Sequence, residues 1–225
     1  MTRVNIIVEG QTEETFVRDV LAPYLGTSEV YVAARRVLTS KRGDKYFRGG
    51  LANYSLPKRD IEMWLSHDRT AWLTTMFDFY RLPSDFPGYE AALQCDDPYE
   101  AVSILEKSMK SDLGSQRVLP YIQLHEFEAY LFSDVTSISA HFFDVCGLKE
   151  KLEVVRGSFL SPEHINSDPD RAPSKRLIDC VPGYGYLKAS SGPIIAGRIG
   201  IDTIRRECPH FDSWIKQLLA VGGRL

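Results

Sequence analysis

The sequence predicts an α/β fold: an open, mainly parallel four-stranded sheet flanked by helices, with a helical C-terminal appendage. Three observations predict it. Short β-branched and apolar runs alternate with helix-period segments through residues 3–132, which is the β-α-β order of a parallel sheet. The runs are almost continuously apolar, as in strands covered on both faces. From residue 134 the strand signals fade, and Pro and Gly punctuate two helical patterns. The expected division is a sheet domain over 1–133 and a helical region over 134–225 packed on it.

Residues 3–8 are β-branched and apolar apart from Asn5 and stop at Glu9-Gly10-Gln11, the pattern of a short buried strand. Thr12 is a candidate helix cap, and Glu13 and Glu14 suit the positive end of the helix dipole. Phe16, Val20 and Tyr24 recur every four residues, so an amphipathic helix is expected over 12–22, ended or bent by Pro23. Residues 29–38 are rich in Val and Tyr and read as a second strand. A polar loop is expected over 39–54, then a helix over 57–67. Residues 71–78 (AWLTTMFD) read as the third strand. Val102, Leu105 and Met109 mark a helix over 98–111, and Val118–Leu124 a fourth strand. His125-Glu126-Phe127-Glu128 then reads as the start of an apolar helix. In the C-terminal region helices are expected near 194–206 and 210–220.

Composition narrows the function classes. The chain has 225 residues, 44% hydrophobic and 25% charged, with a net charge of −3. A chain of this size buries roughly 70% of the surface its unfolded form exposes, so it folds without disulfides or a structural metal. The near-neutral total excludes a protein that coats polyanions by bulk charge, and the composition excludes collagen and disorder. No run is long enough for an export signal or a spanning helix. Cys95, Cys146, Cys180 and Cys208 form no CxxC pair, so zinc is not expected and free thiols in the reducing cytoplasm are.

The acids carry the chemistry. In open α/β sheets the ligand lies beyond the carboxyl ends of the strands. Glu9 follows the first strand, Asp78 closes the third, and His125, Glu126 and Glu128 follow the fourth, so the topology brings all of them to one rim. At 100° per residue, Glu128 lies within roughly 60° of Leu124, Leu131 and Phe132, and Glu126 points about 160° away. Glu128 is therefore expected to face the sheet, and Glu126 to reach the rim only if the helix starts late. A carboxylate so placed is either paired with a buried cation, such as Arg35, or a metal ligand or general base. Carboxylates without Cys or paired His suit Mg²⁺ or Mn²⁺.

Basic residues cluster in two places, with aromatics among them: 35–48, including Arg42 and Lys45, and 171–206, including Lys175 and Arg176. Such patches beside acidic metal ligands suit a nucleic-acid backbone, DNA or RNA; they equally suit a solvated loop and solvated helix faces.

VEGQTEETF, an aspartate closing a later strand, and the β/α order resemble the Toprim domain of topoisomerases, primases and overcoming-lysogeny-defect nucleases. More narrowly, TTMFDFYRLPSDFPGY, PYIQLHEFEAYLFS, SPEHIN, APSKR and CPHFDSW resemble the bacterial Toprim-like domain-of-unknown-function family 4276. The resemblance covers nearly the whole chain. It implies that Glu9 and Asp78 hold Mg²⁺. Tyr80 stands where the Toprim pattern has a second aspartate, so Glu128 or Glu126 is expected to supply the missing carboxylate. His125 or Glu126 would orient or deprotonate a water, and Lys175 with Arg176 would hold phosphate. The resemblance also implies a nuclease effector of an anti-phage or mobile-element locus, with an ATPase encoded nearby. The alternative is a non-catalytic partner or regulatory subunit of such an ATPase.

Overall fold

The computed structural model describes residues 1–42, 45–48, 51–165 and 171–223; over 38–48 it describes backbone only. β1 (Thr2–Val8) pairs in parallel with β2 (Val30–Arg36) on one side and with β5 (Trp72–Asp78) on the other. β6 (Val118–Leu119) and β7 (Ile122–Gln123) both pair in parallel with β5. The sheet order is β2-β1-β5-β6, with β7 continuing beside β5. The expected fourth strand is thus two dyads. Pro120 has no N–H to give the ladder, and Thr75 Oγ1 bridges the gap. It accepts from Tyr121 N at 3.0 Å and donates to Tyr121 O at 2.9 Å. In the expected polar loop, β3 (Leu38–Arg42) and β4 (Lys45–Arg48) form an antiparallel hairpin.

The first helix, α1, comprises Gln11–Phe16, a π-wound Val17–Leu21 and Ala22–Gly26. Gly10, not Thr12, is its cap. It does not stop at Pro23. The wide turn, with Ala22 N bonded to Val17 O, comes just before the ring, where an α-turn would collide with it. α2 (Ser55–His67), the short α3 (Tyr89–Ala92) and α4 (Pro98–Leu113) follow. Asp97 caps α4 by accepting from Tyr99 N at 2.9 Å.

The C-terminal region is richer in helix than its periodicity indicates: α5 (Val135–His141), α6 (Leu148–Gly157), α7 (Pro173–Cys180), α8 (Tyr184–Ile199), α9 (Ile201–Glu207) and α10 (Pro209–Val221). The helix expected over 194–206 is broken at Gly200, whose φ of 81° suits only glycine.

The sheet is covered on both faces, and alternate residues divide between them. Val4, Ile6, Val8 and Met76 pack with Phe16 and Leu21 of α1 and with Phe211 and Trp214 of α10. Ile7, Leu73 and Phe77 pack with Ile61 of α2 and Val102 and Leu105 of α4. The C-terminal helices therefore share the sheet's own core. Trp214, 1% exposed, also donates its indole N–H to Thr74 Oγ1 of β5 at 2.9 Å. Among the described residues no helix is long and apolar enough to cross a membrane.

From β1 the chain goes to β2 on one side, then crosses back to β5 on the other. β1 and β5 therefore flank a topological switch point, where the crevice beyond the strand ends receives ligands. Glu9 and Asp78 stand at its two lips.

Candidate functional site: an acidic cleft at the strand ends

The cleft is a cavity of about 260 Å³ lined by Glu9, Glu13, Asp78, Glu126 and Glu128, with Arg81 and Lys188. All five acids are buried. Each is placed by a different local device. Asp78 N donates to Glu9 Oε1 at 2.9 Å, tying the ends of β5 and β1 together. The other oxygen, Glu9 Oε2, is buried and makes no hydrogen bond. Glu13 folds back from the first turn of α1 over Gly10, where a Cβ would lie 2.7 Å from its Oε2. A side chain at position 10 would oblige the Glu13 carboxylate to shift.

Glu126 is extended, with φ −158° and ψ 167°, and a 3₁₀ helix begins only at Phe127 and runs to Ser133. The later and tighter start changes the expected wheel. Glu126 and Glu128 do not diverge by 160°; both enter the cleft. Glu126 accepts from Ser174 N and, at 3.0 Å, from Ser174 Oγ, so the start of α7 holds it.

The cation beside these acids is the half-buried Lys188 rather than Arg35. Lys188 Nζ lies 3.3 Å from Glu128 Oε1 and 3.7 Å from Glu126 Oε2. Arg35 instead lies 4.0 Å over the Trp64 ring. Gly192 explains how Lys188 gets there. A Cβ at Gly192 would stand 3.1 Å from the Phe127 ring and 3.4 Å from Thr12, so the glycine lets α8 sit close against both. Lys188, four residues earlier on the same helix face, is thereby delivered to the acids.

Five buried carboxylates confront the exposed Arg81 and the half-buried Lys188, and the proton affinities of four of them rise. Burial pushes Glu9 up to about 8; the Asp78 amide opposes this, and the charge of Glu13 adds to it. Asp78 is pushed well above the usual carboxylate range by burial, then by Glu13, Glu9, Glu126 and Glu128. Glu128 rises to about 7 through burial and the charge of Glu126, against the pull of Lys188. Burial raises Glu13 also. Such a cluster takes up protons or a hard cation. Its donors are all oxygens, and one of them, Glu9 Oε2, is buried without a partner, so its chemistry fits Mg²⁺ or Mn²⁺. Among the described residues no group of three or more His, Cys, Asp or Glu side chains is placed so that it could hold a metal ion. Mg²⁺ is commonly held by one or two carboxylates and completed by water or substrate oxygens.

The remaining residues singled out in the sequence lie elsewhere. His125 does not line the acidic cleft; it lines a neighbouring cavity of about 660 Å³. Its backbone is left-handed at φ 67°, which costs a non-glycine residue about 1–2 kcal/mol, and this turns the ring away from Glu126. The ring stacks on Tyr80 with centroids 5.0 Å apart, and neither nitrogen makes a well-formed hydrogen bond, although the Glu163 backbone approaches it. Burial lowers its pKa to about 4. Tyr80 also lines that second cavity. Lys175 is exposed and Arg176 donates from Nε to Arg171 O at 2.9 Å; neither lines the cleft, because the start of α7 presents Ser174 to it instead. Arg42 and Lys45 fall in β3 and β4, whose side chains lie outside the described residues.

Sequence reasoning missed Glu13, Lys188 and Arg81. The signal for Glu13 was present: it lies four residues after Glu9 in a first helical turn, but a dipole-complementing acid looks the same. Lys188 had no local signal, since only tertiary packing at Gly192 delivers it.

Comparison with known proteins places these features in a family. No curated protein matches the chain. A solved structure, described as the C-terminal region of the Xanthomonas campestris pv. campestris OLD protein phased with iodine, aligns over 96% of this chain and 97% of its own. The identity is 17% and the TM-score 0.39, too low to carry an argument about fold or activity. A family model, Domain of unknown function (DUF4276), matches residues 8–219. The cleft and the helices that close it lie inside that span, and the chain belongs to the DUF4276 family.

Proposed function

We propose that this protein is a Mg²⁺- or Mn²⁺-dependent nuclease or a related phosphodiester-cleaving enzyme, acting within a bacterial anti-phage or mobile-element system. The observation that carries this reading is the convergence of five buried carboxylates on the sheet's switch point, with one buried oxygen unpartnered and a lysine beside two of them. Glu9, Asp78 and Glu128 would hold the ion, with Glu13 and Glu126 adjacent. When bound, such an ion polarises phosphate oxygens and steadies the attacking and leaving oxygens.

The chain's own groups do the rest. The Asp78 amide fixes the Glu9 carboxylate, and Ser174 fixes Glu126, so neither acid has to be ordered when substrate arrives. Glu126, held by Ser174 beside these ligands, would orient or deprotonate the attacking water. Lys188 supplies a point charge to a phosphate once it leaves its carboxylate partners.

The test is Mg²⁺-dependent cleavage of plasmid, single-stranded DNA and transfer RNA by wild type, Glu9→Ala and Asp78→Ala. Wild-type cleavage lost in both variants supports the reading. Equal cleavage by all three overturns it. A second reading, a non-catalytic partner or regulatory subunit of an ATPase, is favoured by Lys188 already pairing with Glu126 and Glu128 and by Tyr80 where the Toprim pattern expects an aspartate. Calorimetry showing no divalent-ion binding, with a defined complex on co-expression with a neighbouring ATPase, would select it.

A further inference from the structure

The acidic cleft has a neighbour of different chemistry. Asp78 and Glu126 line the first cavity, while the next residues along the chain, Phe79 and Tyr80 on one side and His125 on the other, line the second. Tyr80 N donates to His125 O at 3.4 Å, so these two segments form a shared wall. The second cavity is about 660 Å³, within the range of sites that enclose a small organic group. Its walls come from three stretches of chain: 79–80 with 125, 92–101, and 158–164.

Four features describe what it would hold. Phe79, Tyr80, Phe159 and His164 give it aromatic surface. Its lining includes Asp96 and, among the described residues, no lysine or arginine, so it is not built for phosphate. His125, 4% exposed, forms part of its wall with the ring stacked on Tyr80. And His125 is held there by a left-handed backbone, a strain that persists only where surrounding structure enforces it and that gathers at ligand sites.

We infer that this cavity receives an unstacked nucleobase of single-stranded nucleic acid whose adjoining phosphate lies in the acidic cleft. An aromatic wall offers stacking to any base. The neighbouring acidic cleft would receive the backbone phosphate once a divalent ion offsets its carboxylates. This deepens the nuclease reading and rests on it for the phosphate's position, but its readout is binding and not cleavage.

The experiment measures equilibrium binding by the full chain, with Ca²⁺ in place of Mg²⁺, of a fluorescein-labelled single-stranded oligonucleotide and of one abasic throughout. The normal oligonucleotide is expected to bind about tenfold more tightly. Tyr80→Leu and Phe159→Leu are each expected to shrink that difference without weakening abasic binding. Photocrosslinking of wild type with a 5-iodouracil-substituted oligonucleotide guards against misfolded variants. Cross-links are expected at 79–80, 125 or 158–164. Cross-links confined to other segments, or equal affinity for the two oligonucleotides, overturn the inference. Equal affinity with Mg²⁺-dependent cleavage intact leaves the nuclease reading standing, whereas no binding of either and no cleavage overturns both.

Discussion

Glu163 and Glu9 are both buried carboxylates, and their surroundings are opposite. Glu163, 0% exposed, accepts from His210 N and Phe211 N at 2.9 Å and from the Tyr99 hydroxyl at 3.1 Å. The two amides belong to the first turn of α10, where the helix dipole also favours a negative charge. Glu9 has one amide on one oxygen and nothing on the other. A satisfied buried acid holds structure together. An unsatisfied one, crowded by four more, costs stability until a cation arrives.

The largest expected effect breaks the comparison at Glu9. Glu9→Gln or Asp78→Asn should lower cleavage by about 10²- to 10³-fold, while the metal-free protein melts no lower than wild type. A melting temperature that falls with either change would mean these acids are structural, like Glu163. Next, Glu163→Ala should cost about 2–4 kcal/mol in denaturant unfolding, because two buried amides lose a charged acceptor; unchanged stability would remove the contrast.

The third prediction uses pH on the metal-free protein. Glu9 has a folded pKa of about 8 against an ordinary 4.5, so the folded state keeps a proton that the unfolded chain releases. The stability this contributes is fully present below pH 4.5 and lost as pH rises through 8. His125 has the opposite sign. Its folded pKa is about 4 against 6.5, so its contribution is present above 6.5 and lost as pH falls through 4. Thermal unfolding from pH 4 to pH 9 should pass through a maximum, with an alkaline decline of roughly 5 °C. Mg²⁺ or Glu9→Gln should flatten the alkaline limb; a limb steeper in Glu9→Gln would refute the assignment. The smallest effect is at Asp97, an exposed acid that caps α4 through one amide. Asp97→Ala should cost only about 1 kcal/mol, well below Glu163→Ala in the same assay.

Much of the cleft was legible. Strand-like runs with Glu9 and Asp78 at their ends, together with the rule that parallel strands present their carboxyl ends to the ligand, locate the switch point. What was not legible depended on local winding and on distant packing. The α-helical wheel does not apply to Glu126, because an extended residue and a 3₁₀ turn stand where the sequence predicts an α-helix from 125. Strand order alone points His125 toward the acids, and nothing in the sequence announces a left-handed histidine. Lys175 and Arg176 looked like the phosphate grip because their charge is visible, whereas the contact made by APSKR is the quieter Ser174. The separate SPEHIN and CPHFDSW segments are hydrogen-bonded to each other through Glu163, a pairing that no periodicity reveals. The C-terminal helices were undercounted because their apolar residues serve a shared core rather than a clean stripe.

The attachments of Ser174 and Lys188 bear on how this molecule can be divided. The sheet and its acids are encoded before residue 133, but the counter-charge and the clasp on Glu126 are encoded after it. A fragment that stopped there would inherit the negative floor without its restraint. The two halves of the sequence are therefore not portable modules, and transplanting the sheet alone into another protein would carry over the acids without the setting that keeps them in place.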